Sequence, residues 1–172
     1  EKSISRQEVV VVTKGGYLQG QNFDLSRARK AEGRPFPDLV EYGDDLEHCI
    51  HPDFIEDQIS RSMGRLQMET ADVYLLHNPE YYLSFAARAE MPLEEARREY
   101  YRRLKLAFFH LEKEVERGRI GCYGVSSNTF PRPASDPEFT SLERLLELAR
   151  EVSRQHRFRV VQLPMNLYER GG

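Results

Sequence analysis

A chain of 172 residues is long enough for one domain with a core of its own. With 25 Lys and Arg against 28 Asp and Glu, its formal net charge of −3 gives no electrostatic pull toward nucleic acid or an anionic membrane. No apolar run reaches the length of a membrane span, and two cysteines make no disulfide framework, so a reducing compartment, the cytoplasm, is expected.

The first predicted element is a strand over 9–13, a β-branched run before Lys14-Gly15-Gly16 that reads as covered on both faces. Residues 15–51 carry several glycines and prolines and no strong periodicity, and read as an insert without regular structure. Pro52 suits the first position of a helix, and Ile55, Ile59, Met63 and Leu66 follow at helical spacing. A second strand, 73–77, ends in His77. A second helix begins at Pro92, with Glu94 and Glu95 in its first turn and a stripe of Leu104, Phe108, Leu111 and Val115, and Gly118 stands where a C-terminal cap belongs. The third strand, 122–126, runs into Ser126-Ser127-Asn128. Thr140 and Glu143 have the spacing of a capping box before a stripe of Leu142, Leu145, Leu146, Ala149 and Val152, and a fourth strand covers 160–163. Strands alternating with helices predict a parallel α/β sheet in a single domain.

Each predicted strand delivers a polar side chain at its C-terminal end: Lys14, then His77, then Ser126, Ser127 and Asn128, then Gln162. One such residue says little, since a histidine after a strand is more often a cap and a lysine more often a solvated terminus. Four in succession share one rim of a parallel sheet, and in a (β/α)8 barrel that rim carries the chemistry. His48-Cys49-Ile50-His51 offers potential metal ligands, but no second cluster stands at zinc-like spacing, so no metal is expected. Gly118, Gly121 and Gly124 precede a strand, which is the wrong context for a phosphate loop.

Four stretches resemble the aldo-keto reductases: VVVVTKGG, SRSMGRLQMETADVYLLHNP, LEKEVERGRIGCYGVSSNTF and VVQLPMNLYE, in family order. The resemblance covers the chain apart from 15–51 and 81–91. It implies an α/β (β/α)8 barrel of which these residues form strands three to six, so that further strands precede and follow them. It makes Lys14 and His77 catalytic and gives Gln162, with Ser126, Ser127 or Asn128, the nicotinamide carboxamide. Gly124-Val125-Ser126-Ser127-Asn128 has one serine more than the family pattern, which leaves the serine and asparagine contacts open among those three.

The implied reaction is reduction of a small aldehyde or ketone to an alcohol, or its reverse, with NADP(H), or NAD(H), as cofactor and neither nucleic acid nor membrane as partner. A tyrosine and an aspartate on an earlier strand would complete the acid–base site. An ammonium beside a phenol stabilises phenolate and lowers the phenol pKa, which gives Lys14 its role. His77 would orient the substrate carbonyl. The alternatives are a non-catalytic regulatory or scaffolding subunit of the same fold, and a truncated, inactive segment.

Overall fold

The computed structural model describes residues 4–166. In chain order its elements are β1 (Val12–Gly15), β2 (Tyr17–Leu18), α1 (Gln21–Ala31), β3 (Val40–Gly43), β4 (Leu46–His48), α2 (Pro52–Leu66), β5 (Ala71–His77), α3 (Tyr81–Arg88), α4 (Leu93–Glu116), β6 (Ile120–Ser126), α5 (Leu142–Val152) and β7 (Phe158–Gln162). Four of the strands form one parallel sheet in the order β1-β5-β6-β7. Spatial neighbours follow chain order and helices connect them, as βαβ units require. The α/β class and the four parallel strands agree with the sequence reading, and they form a sector of a (β/α) barrel.

The period-two alternation of a strand sorts the side chains onto two faces. Tyr74, Leu76, Tyr123, Val125 and Phe158 meet Ile55, Ile59, Tyr100, Leu104, Phe108, Leu111 and Leu145 in one buried core on the helix side. Lys14, His77, Ser126 and Gln162 are thereby turned to the other face. The helices begin and end for local reasons. His51 caps α2 by accepting the Asp53 N–H on Nδ1, and Pro52 occupies the first turn. Gly118 takes a positive φ of 74° just beyond α4, where glycine has no Cβ penalty.

Several expectations need correcting. The first strand begins at Val12, not residue 9, and it is a half-open edge: among the described residues it pairs only with β5, and Val10 is 74% and Val12 50% exposed. The 15–51 insert is structured, with β2, β4 and β3 forming an antiparallel sheet and α1 lying against it. A small second core of Leu18, Phe36, Cys49 and Phe54 ties the insert to α2. Buried Glu47 receives Lys30 Nζ at 2.6 Å, which fastens α1 to β4. Residues 81–88 form α3, which periodicity did not indicate. The cap of α5 is Ser141, whose hydroxyl accepts the Arg144 N–H; Thr140 is buried and bonded to Tyr100 and Thr129 instead.

β6 is squeezed between two neighbours. A Cβ on Gly124 would stand 1.8 Å from the Val160 carbonyl oxygen and 2.9 Å from a Leu75 methyl. Gly124→Ala should therefore cost about 3 kcal/mol, the upper end of the usual overpacking range. Gly64 lies within α2 with nothing inside 4 Å of its added Cβ, so Gly64→Ala should stabilise by about 1 kcal/mol. Urea denaturation of both variants checks this, and two small changes of the same sign would contradict the close packing of β6.

Candidate active site

The polar ends of the four strands meet. Lys14 Nζ donates to Gln162 Oε1 at 2.6 Å, and Ser126 Oγ donates to the same oxygen at 2.9 Å. Ser126 is register partner to both His77 and Gln162. Lys14 lies on the first strand of the sheet and Gln162 on the last. Three interstrand gaps of about 4.8 Å would hold their strands roughly 14 Å apart in a flat sheet, with side chains upright. Their bond requires the sheet to curl with this face inside, as a barrel wall does. The curl also answers what a lysine is doing at the end of an apolar run: its amine is exposed and bonded to an amide, so it is not stranded in the core.

His77 is half-buried beside this group. Burial, and then the Lys14 charge, push its pKa below the ordinary histidine value, so that it favours the neutral imidazole. Its ring meets the Tyr17 ring edge-on, with centroids 4.6 Å apart at 88°. Among the described residues its ring nitrogens have no hydrogen-bond partner, which leaves them free for a ligand.

The three residues after the third strand separate. Ser126 joins the rim. The Ser127 hydroxyl turns to Thr129 Oγ1 at 3.0 Å, within the buried Thr129–Thr140–Tyr100 chain, while its backbone N–H donates to the Gln162 carbonyl. Asn128 has an exposed side chain, and its N–H donates to the Glu80 carboxylate at 2.9 Å. Glu80 is 4% exposed, and burial raises its pKa. It ties the turn after β5 to the turn after β6.

Sequence reasoning missed Glu80, Tyr17, Tyr42, His48 and Tyr81; the last four form one ring cluster, which meets the His77 imidazole through Tyr17. The only signal was the His48-Cys49-Ile50-His51 run, read as possible metal ligands. Each of its polar side chains has another task. His48 Nε2 donates to the His77 carbonyl at 2.7 Å, Cys49 Sγ donates to the Pro37 carbonyl, and His51 caps α2. Cys49 and Cys122 are free thiols, and burial pushes Cys49 up to about 12. No helix among the described residues is long and apolar enough to cross a membrane.

Residues 2–170 match the Aldo/keto reductase family, and the chain belongs to it. Many solved structures resemble it, among them these two. One is the holo form of the aldo-keto reductase AKR11C1 from Bacillus halodurans, at 16% identity over 93% of this chain and 35% of that one, TM-score 0.47. The other is the glycerol dehydrogenase AKR11B4 from Gluconobacter oxydans, at 21% identity over 87% of this chain and 38% of that one, TM-score 0.47. The present chain thus spans 35% and 38% of the lengths of these two structures. No curated protein matches it.

His48 makes stability depend on pH. It is 1% exposed, and burial lowers its pKa from 6.5 to about 4. As pH falls below 6.5 the unfolded chain takes up the proton and the folded chain does not, until pH reaches about 4. The contribution is complete above the unfolded pKa and is lost across that window, on the order of 3 kcal/mol in all. Denaturant midpoints measured from pH 7.5 to 4 should fall more steeply for the native sequence than for His48→Gln; parallel curves would show that His48 is not held neutral.

Proposed function

We propose that these residues form the cofactor- and carbonyl-facing part of an NADP(H)-dependent oxidoreductase that reduces aldehydes or ketones to alcohols, or runs the reverse reaction, with NAD(H) as the second option. The observation that carries the reading is the convergence of Lys14 and Ser126 on the Gln162 amide oxygen beside a half-buried neutral histidine, at the rim where a (β/α) barrel does its chemistry. Membership of the family supports it. The free thiols, one of them deeply buried, suit a reducing cytoplasm.

The donor set fits a nicotinamide. A carboxamide presents one acceptor and two donor hydrogens, and it needs complementary groups in fixed positions. Gln162 has its Oε1 taken by Lys14 and Ser126 and keeps its amide hydrogens to donate. Ser126 adds a hydroxyl oxygen, and Asn128 an exposed amide. Ser127, whose hydroxyl is engaged with Thr129, contributes by its backbone bond to Gln162. When bound, the cofactor supplies the hydride. The residues themselves position and polarise. Neutral His77 donates one N–H to the substrate carbonyl oxygen and holds its direction. Lys14 brings a positive charge to the place where negative charge grows, and stabilises the deprotonated form of the phenolic proton donor that the family resemblance implies.

Lys14→Met in the full-length protein should lower kcat for an aromatic aldehyde by about a thousandfold, because a phenol pKa shifted by a few units changes the rate by that order. Gln162→Ala should weaken NADPH binding by about tenfold, the worth of one neutral hydrogen bond, with a smaller loss at saturating cofactor. NADPH absorbance and a cofactor titration read the two effects. Tight NADPH binding with no turnover of any carbonyl by the native protein would favour the regulatory alternative.

A further inference from the structure

We propose that the insert between β1 and α2 is a positioning device for His77, acting through His48 and Tyr17. His77 is the last residue of β5, and the next residue, Asn78, has a φ of +46°. Asparagine tolerates the left-handed region better than most other side-chain-bearing residues, and holds it at modest cost where its surroundings fix it. Besides its own Tyr81 N–H to Asn78 carbonyl bond at 3.2 Å, three bonds from outside hold this turn. The Asn78 N–H donates to the Ser126 carbonyl at 2.7 Å. The other two come from the insert: Asn78 Nδ2 donates to the Tyr17 hydroxyl at 2.7 Å, and His48 Nε2–H donates to the His77 carbonyl at 2.7 Å.

A carbonyl oxygen only accepts, so the His48 proton sits on Nε2, and the bond fixes the tautomer as well as the turn. The His48 ring is itself fixed, stacked on Tyr81 at 5.5 Å and edge-on to Tyr17 at 5.4 Å. Gly16 completes the clamp. A Cβ there would stand 2.6 Å from the His77 carbonyl oxygen and 2.8 Å from His48 Nε2, so only glycine admits the bond. Tyr17 acts a second time, because its ring lies edge-on against the His77 imidazole and limits its rotation. The small core of Leu18, Phe36, Cys49 and Phe54 anchors the insert to α2, so the clamp is braced from outside the parallel sheet. The device matters for catalysis because a reacting group misplaced by even an ångström loses much of its rate advantage. In that sense the inference rests on His77 being the residue that orients the carbonyl.

The test uses full-length protein with isotope-labelled histidine and three variants. His48→Leu removes the donor, His48→Gln keeps an N–H donor, and Tyr17→Phe keeps the ring and removes the hydroxyl. In His48→Leu and Tyr17→Phe the His77 imidazole resonances should shift, and Asn78 amide exchange and kcat for aldehyde reduction should each change by about tenfold, exchange faster and turnover slower, the equivalent of one lost hydrogen bond. NADPH affinity should stay unchanged, and His48→Gln should restore all three readouts. Unmoved resonances and exchange in His48→Leu, or no restoration by Gln, would overturn the proposal. If His48→Leu does not fold, Tyr17→Phe decides, because it deletes one oxygen from a half-buried ring. His77→Ala separates the two ideas. Full activity in His77→Ala alongside shifted resonances in the other variants sinks the catalytic reading and leaves the clamp standing. An inactive His77→Ala alongside fully active, unshifted Tyr17→Phe and His48→Leu sinks the clamp alone.

Discussion

The parallel register of β5 against β6 decides where every candidate functional side chain stands. With Val73 opposite Cys122 and His77 opposite Ser126, the odd positions of β5 and the even positions of β6 share the concave face. A slip of one residue would turn His77 into the helix layer and Leu76 toward solvent. Two glycines let β6 lie close enough for this register. A Cβ on Gly121 would come within 2.9 Å of the Asp72 carbonyl, and one on Gly124 within 1.8 Å of the Val160 carbonyl on the opposite side. Of the three glycines that looked like a misplaced phosphate loop, Gly121 and Gly124 are a packing requirement of β6, and Gly118 ends α4.

Register alone aims side chains, and the turns after the strands must then stay still. The turns after β5 and β6 are bonded to each other twice, by the Asn78 N–H to the Ser126 carbonyl and by the Asn128 N–H to the Glu80 carboxylate. Below them Ser127, Thr129, Thr140 and Tyr100 form a chain of hydroxyls in which each has a partner. A buried polar chain that is fully paired rigidifies its surroundings, whereas a broken one would cost more than it contributes. Glu80 sits at the crossing of these links, and its raised pKa is the electrostatic cost of burying a carboxyl there.

What could be read from the sequence follows from the size of each element's signal. The four parallel strands were legible because VVVV, VYLL, CYGV and VVQL are β-branched or largely apolar runs bounded by turn residues, and α2, α4 and α5 because each repeats an apolar stripe over three turns or more. The rim residues were legible because strand ends were, and the chemistry came from family resemblance. The insert was not legible. β2 has two residues and β4 three, too few for any period, and α1 buries only Ser26, so it carries no apolar stripe. Eight-residue α3 lacks a side-chain cap and follows a proline turn. The start of β1 was misplaced because β-branched residues mark a strand without marking its pairing. Val9 and Val10 belong to the same apolar run, but the ladder begins at Val12. The clamp on His77 left no sequence signal, since it depends on a histidine 29 positions away.

Lys14 shows how two roles that look separate in sequence become one in the fold. In the proposed reading Lys14 serves proton transfer and Gln162 cofactor recognition, 148 positions apart. In the curled sheet a single oxygen, Gln162 Oε1, takes both the Lys14 ammonium and the Ser126 hydroxyl. A charged donor makes the stronger of the two bonds, so Lys14 sets which way the Gln162 amide faces and therefore where its amide hydrogens point. The converse also holds: whatever rotates that amide moves the ammonium with it. The two side chains are mechanically coupled through one hydrogen bond, so the consequences of altering Lys14 and Gln162 do not add as they would for independent sites.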